Sequence, residues 1–341
     1  MNNNAMKTMT LFFLLAGLTI LSACGQDSGN REENQQVDHS PDPSISQLNL
    51  LLDETPDDPE LYFQRAQLYY GLEGYDEAIQ DVQMALSFDS VNVNYLHLLA
   101  DAYMDYYQSF KALKTMERAA SLHPQRIPTL LKLTEFQLIL QQSEKALKTL
   151  EKIRAIDPQN AEMFYMGGLI FEDLGEIDKA IGSFQSAVEI NAELIEAWIE
   201  LGKLWASKNE PIALQFFDNA LRVDSTNLVA LHEKAYYLSN TRNDLGGAME
   251  LYKKIIIFHP QYPDAYFNSG LLYLDMDSLD QAFQQFDLNI KVEPTFYQAY
   301  YYRGLCAEMK GDLELAKKDY AQALDLAPGF QRAQEALNKL Q

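Results

Sequence analysis

Basic residues are scarce in this chain. Twenty-seven lysines and arginines stand against 49 aspartates and glutamates in 341 residues, a formal net charge of −22. A field of that sign repels nucleic acids and anionic lipid head groups, so neither is an expected partner. Cysteine is nearly absent: Cys24 and Cys306 alone cannot build a disulfide framework or a cysteine-rich zinc site. The main apolar run, from Leu11 to Leu21, is about half of the ~20 residues a membrane-spanning helix needs. The five histidines, at 39, 97, 123, 232 and 259, are scattered. No HExxH, GxSxG, CxxC or phosphate-cradling glycine loop occurs, so no catalytic residue, metal or cofactor is expected and the chain does not read as an enzyme. His123 and His259 each precede a proline at a helix end, where an imidazole suits the helix dipole. Cys306 reads as a buried, inert thiol. What remains is globular in composition, 47% hydrophobic, with 20 tyrosines and 17 phenylalanines that need a structural or binding reason.

The first 24 residues, MNNNAMKTMTLFFLLAGLTILSAC, place one lysine before the apolar run and a short motif after it. Lys7 and the run have the flanks and length of a secretory signal. Leu21-Ser22-Ala23-Cys24 resembles the lipobox of bacterial lipoproteins. That resemblance implies a signal peptide over residues 1–23 and lipidation at Cys24, so that acyl chains hold the protein on a membrane without a spanning helix. Gly25 stands where an aspartate would signal inner-membrane retention, which by the family's sorting rule implies the outer membrane, on its periplasmic face or at the cell surface. Residues 24–44, the lipidated cysteine and a segment almost free of apolar residues, read as a tether.

Beyond the tether the chain repeats itself. Ala78, Ala112, Ala146, Ala180, Ala213, Ala248, Ala282 and Ala316 recur at intervals of 34, 34, 34, 33, 35, 34 and 34 residues. Four residues after each stands a large apolar side chain, from Val82 and Met116 to Phe286 and Tyr320. Twelve residues before each alanine, give or take one, lies a small residue, such as Ala66, Gly168 or Gly304. Proline, serine or alanine closes each unit twelve residues after the alanine, as at Pro124 and Pro328. This pattern resembles the tetratricopeptide repeat, best seen in Trp198-x2-Leu201-Gly202-x2-Trp205 followed by Ala213-x3-Phe217. The resemblance implies an all-α solenoid, a right-handed superhelix of eight helix-turn-helix repeats over residues 59–328. Close packing of the small residue against the alanine would bring the paired helices together. Repeat five loses a residue around Asn209-Glu210-Pro211, and repeat six regains one around Asn243-Asp244-Leu245. Residues 45–58 are expected to form an N-terminal capping helix and residues 329–341 a C-terminal one, since a solenoid needs solvated ends.

In that family the first helix of each repeat lines a concave groove that takes peptides or partner helices. Carried over position by position, the groove residues are Phe63 and Gln67; His97, Asp101 and Met104; Leu131 and Glu135; Tyr165 and Leu169. The series continues with Ile199 and Lys203, His232 and Tyr236, Phe267 and Leu271, then Tyr301 and Leu305. The lysine and asparagine clamp some members use for a C-terminal carboxylate is missing. An aromatic groove with acidic flanks should favour an apolar or aromatic segment carrying basic residues. The same aromatics also fit between repeats, so the sequence leaves open which bind and which pack. The expectation is a noncatalytic scaffold, lipid-anchored in the envelope and engaging envelope proteins or peptides. The alternative is a surface lipoprotein that binds a solute or glycan on the same scaffold.

Overall fold

The computed structural model describes residues 42–340. The signal-peptide and lipidation readings, Cys24 included, and nearly all of the tether lie outside the described residues. Eighteen helices and no strands make up the rest. Eight antiparallel pairs follow one another: α2 (Pro59–Gly71) with α3 (Tyr75–Phe88), α4 (Val93–Asp105) with α5 (Ser109–Leu122), α6 (Ile127–Ile139) with α7 (Ser143–Ile156), and α8 (Ala161–Asp173) with α9 (Ile177–Ile190). The series runs on through α10 (Ile195–Ser207) with α11 (Ala213–Val223), α12 (Leu228–Asn240) with α13 (Leu245–Phe258), α14 (Pro263–Asp275) with α15 (Leu279–Val292), and α16 (Tyr297–Met309) with α17 (Leu313–Leu326). The fold is the expected tetratricopeptide-type solenoid. First helices touch their counterparts in the next repeat at α2–α4, α6–α8 and α10–α12, and no two second helices come as close. In a curved stack the layer whose members crowd together is the inner one, so the first helices form the concave side.

The turn inside each repeat is the most regular feature of the chain. Residues 73, 107, 141, 175, 209, 243, 277 and 311 all have positive φ, spaced by 34 throughout. Each follows the first helix as its left-handed terminator. In seven repeats the next residue's N–H bonds the carbonyl five residues back, as in Gln108 to Tyr103 at 2.7 Å and Glu176 to Phe171 at 2.8 Å. That is the six-to-one bond of a Schellman motif. In repeat six Asp244 donates to Leu238, six residues back. The extra residue therefore sits before Asn243, at the end of α12, and the missing one after Asn209. Only α11 is shortened, to 11 residues, and the turn spacing itself never slips.

Packing within a repeat differs in one respect from the expected contact of small residue on alanine. A Cβ on Gly168 would stand 2.4 Å from the Phe184 ring, one on Gly202 2.4 Å from Phe217, and one on Gly270 2.6 Å from Phe286. The small residue receives the flat ring that follows the alanine by four, because only a hydrogen leaves room for it. Where the first helix carries alanine or threonine instead, at Ala66, Ala100 and Thr134, the second carries Val82, Met116 and Leu150. Ala235 faces this rule with a tyrosine, Tyr252, in the repeat whose turn is longer by one residue. All seven of these second-helix residues are buried, as is Tyr320 in repeat eight.

A single helix stands at each end of the described residues. α1 (Pro43–Glu54) begins two residues before the expected cap, because Asp42 accepts the N–H of Ser44 at 2.7 Å and Pro43 opens the helix. It buries Ile45, Leu48 and Leu52 on α2, and Pro56 falls 34 residues before Ser90, at the repeat-closing position. α1 thus stands in the position of a second helix, one repeat before α3. α18 (Gln331–Lys339) is the converse, a first helix that buries Ala333 and shows Gln334 and Asn338 to solvent. Arg65 on α2 holds Asp81 through two hydrogen bonds of 2.7 Å and Asn49 of α1 through one of 2.5 Å. Arg303 on α16 repeats the device at the far end, with Asp319 at 2.8 Å twice and Asp287 at 2.6 Å.

Candidate functional site

All the groove residues carried over from the repeat pattern lie on first helices, but their side chains divide into two sets. Apart from Tyr236, the aromatic ones pack within their own repeat or against the next. Phe63 packs on Tyr95 of the next repeat at 4.8 Å between centroids, and Tyr165 leans on Phe184 at 5.8 Å. Phe267 meets Phe286, Phe296 and Tyr302 at 5.8, 5.0 and 5.6 Å. Tyr301 meets Tyr320 and the terminal Phe330 at 5.6 and 5.2 Å. His232 stands edge-on to Tyr252 and Tyr262, with Nδ1 3.2 Å from the Tyr262 hydroxyl. Leu131, Leu169, Leu271, Leu305 and Met104 are half-buried, and Ile199 is fully buried. Exposed to the groove are Gln67, Glu135 and Tyr236.

The polar members are tied in pairs that the sequence did not disclose. Lys132 donates to Asp101 at 2.7 Å across two repeats. Burial raises the Asp101 carboxyl above the ordinary aspartate range, with Lys132 opposing the shift. Lys203 donates to both oxygens of Glu200, at 2.8 and 2.6 Å. Its ammonium holds its proton more tightly than usual: burial works against the charge, but Glu200, Glu172 and Glu233 outweigh it. His97 lies 3.1 Å from the Thr129 hydroxyl, and burial together with Lys132, Arg126 and His123 pushes its imidazole down to about 4. Lys132, Glu200 and Glu233 sit one position beyond the carried-over set. Their signal was their spacing of one residue from Leu131, Ile199 and His232.

Elsewhere two histidines do more than sit on a dipole. The Nε2 atoms of His123 and His259 each lie 2.7 Å from a backbone carbonyl one repeat back, Val91 and Thr226. Cys306 is fully buried, and its thiol is pushed up to about 11 by that burial. Among the described residues no group of three or more histidine, cysteine, aspartate or glutamate side chains could hold a metal ion. No helix among them is long and apolar enough to cross a membrane. A recess of about 560 Å³ opens beside Trp198, lined also by Glu193, Asn219 and Arg222. The indole there is fixed by its N–H to Ala192 O at 2.8 Å and by Phe216 at 6.1 Å between centroids.

Comparison with known proteins agrees with this geometry. The BBSome complex member BBS4 of Bos taurus is 28% identical over 154 residues, covering 43% of this chain and 28% of that one. The chain thus spans little more than a quarter of that relative. Among solved structures, yeast Tom70 superimposes with a TM-score of 0.63 at 19% identity, covering 80% of this chain and 61% of Tom70. PilF of Pseudomonas aeruginosa gives 0.53 at 17%, covering 62% and 96%. Family models described as "Tetratricopeptide repeat" match residues 161–194 and 297–330, the fourth and eighth pairs of the stack. The chain therefore carries tetratricopeptide repeats, stacked into an all-α solenoid.

Proposed function

We propose that the protein is a noncatalytic scaffold that binds partner peptides or proteins in the groove of its first helices. The observation that carries this reading is the charge left on the groove. Its two lysines are already neutralised, Lys132 by Asp101 and Lys203 by Glu200. Glu135, Glu196 and Glu233 then give the concave face a negative field, and exposed Tyr236 adds an aromatic contact. A segment with basic residues beside an apolar or aromatic anchor fits that surface. A relative that is a member of a multiprotein complex supports the same reading. The lipobox adds the setting: acylated Cys24 holds the scaffold in the outer membrane, periplasmic face inward, where envelope proteins are the partners.

The test is a crosslinked recovery from intact cells, comparing the native chain with a Glu135→Gln, Glu233→Gln, Tyr236→Ser variant. These side chains are chosen because they do not hold repeats together, unlike Tyr165, Phe267 or Tyr301. Specific envelope proteins should be recovered with the native chain and lost with the variant. Recovery of the same proteins by both would sink the groove reading. Anchoring is tested apart: Cys24→Ser should leave an uncleaved precursor that takes up no acyl label.

The recess beside Trp198 supports a second reading, a solute or glycan site. Only two tryptophans exist, so Trp205→Phe leaves Trp198 as the sole reporter. A saturable change in its emission on titrating glycan fragments would favour this reading over a scaffold alone.

A further inference from the structure

α1 runs antiparallel to α2, and α2 to α3, so the N-termini of α1, α3 and α5 lie at one edge of the stack. That edge carries the left-handed turns inside the repeats. Arg65 fixes α1 in this register by bonding residues sixteen before and sixteen after it. The chain therefore enters the fold at this edge, at Asp42. On the same edge, repeats one and two expose Leu72, Tyr106, Tyr107 and Phe110. Phe110 and Tyr107, at 80% and 74% exposure, are the most exposed large apolar side chains among the described residues. The patch has a firm backing: Tyr75 stacks on Tyr106 at 5.9 Å, and the Tyr106 hydroxyl donates to Asp76 at 2.8 Å.

We propose that this edge lies against the bilayer to which Cys24 tethers the chain, with Phe110 and Tyr107 seated at its headgroup boundary. The proposal rests on the anchoring reading above. Three observations select the bilayer as occupant. Residues 25–41 hold one aliphatic side chain, Val37, and so offer little apolar surface to match the patch. Eighteen residues, Gly25 to Asp42, separate Cys24 from the start of α1, a number that would let an unstructured linker reach about 23 Å. α5 follows α1 and α3 along this same edge, so the patch stands beside the point where the tethered chain enters the fold. Tyrosine favours the interface between water and acyl chains, and phenylalanine is among the side chains that surface-lying segments bury at that boundary. Asp76, Glu77 and Asp105 flank the patch, so zwitterionic lipid should be preferred to anionic lipid.

The test uses the full chain, acylated in the producing cell, in vesicles of phosphatidylethanolamine and phosphatidylcholine. Cys306 is buried and acylation occupies Cys24, so one introduced cysteine takes a thiol-directed fluorophore alone. One label goes on Lys111→Cys, beside Phe110. The reference goes on Ile257→Cys, at the end of α13 and on the opposite edge. Lipids with brominated chains should quench the first label about two-fold and leave the second unchanged. Adding Phe110→Ser and Tyr107→Ser should abolish that contrast. If the Cys24 peptide carries its acyl mass and both labels behave alike, the orientation is wrong while anchoring stands. A Cys24 peptide without acyl mass removes the anchoring reading and this proposal with it. Shielding of the first label that rises with protein concentration, without vesicles, would mean that a second copy covers the patch, and would also overturn it.

Discussion

Gly168→Ala and Gly182→Ala are one methyl group each, in the same repeat, and should shift stability in opposite directions. At Gly168 the new Cβ would stand 2.4, 2.5 and 2.7 Å from three atoms of the Phe184 ring. Carbon atoms settle about 3.5–4.0 Å apart, so the ring must retreat by about 1 Å. Phe184 is fully buried, so its ring can retreat only by displacing the side chains around it. Overpacking of this kind costs about 1–3 kcal/mol, offset by a gain of about 1 kcal/mol from replacing glycine inside a helix. Gly182, mid-helix in α9, has nothing within 4 Å of the same added atom, so it keeps the gain of about 1 kcal/mol undiminished. Urea unfolding followed by far-UV circular dichroism should place the two variants on opposite sides of the native chain. Unfolding of a repeat array can proceed by parts, so slope and midpoint should be compared together. Phe184→Leu in the Gly168→Ala background creates the kind of pair already present at Thr134 and Leu150. The double variant should then exceed the sum of its single changes by about 1–3 kcal/mol. Equal stability of the two alanine variants, or strict additivity in the cycle, would refute the steric account.

Three further outcomes follow from other parts of the stack. Gln141 holds a φ of 55° in the turn of repeat three, so Gln141→Gly should raise stability by about 1 kcal/mol in the same unfolding assay. Arg303→Leu leaves the buried Asp319 carboxylate without its two charged hydrogen bonds and should cost about 3 kcal/mol, with recovery when Asp319→Leu is added. The Arg303 clamp also has a pH signature through Asp287. Burial opposes its charge, yet the hydrogen bonds from Lys291 and Arg303 prevail and hold its carboxyl below the usual range. Its contribution is complete at neutral pH and fades once pH falls below the ordinary aspartate value of about 3.9. His97 gives the third outcome. With its imidazole pushed down to about 4, the folded chain binds fewer protons than the unfolded one from there up to about 6.5. Stability should therefore fall as pH drops through that window, and His97→Gln should flatten the fall in unfolding midpoints measured at several pH values.

The repeat period, the number of helix pairs and the C-terminal capping helix were legible because each rests on local sterics written into single residues. The alanine at one site and the proline at another admit few alternatives. The turns were less legible: only Gly175 and Gly311 announce a left-handed residue, while Glu73, Tyr107, Gln141, Asn209, Asn243 and Asp277 adopt the same conformation without glycine. There the closing hydrogen bond to the first helix fixes the backbone despite the residue. The start of α1 was hidden for another reason. Asp42-Pro43 reads as the end of a polar tether until its capping role is seen, although Asp58-Pro59 opens α2 in the same way. In the groove, the repeat pattern located the helices that line it but not the direction of each side chain. Tyr165 packs on Phe184 of its own repeat and Phe267 on rings of its own and the next repeat, because burial of a ring outweighs its exposure to solvent. The Asp101–Lys132 pair joins residues 31 apart, a separation that no local rule reports.

The fit of glycine to ring and alanine to aliphatic side chain also bears on how such a chain can lengthen. A crossover that exchanges whole units between closing prolines carries both halves of each fit together. A crossover inside a turn, at one of the left-handed residues, would join the first helix of one unit to the second helix of another. Ala100 would then meet Phe184, or Gly168 would meet Met116, one pairing too tight and the other leaving a hole. Heredity through duplication should therefore have respected the closing prolines as its joints, with the paired helices passed on as a single inseparable piece.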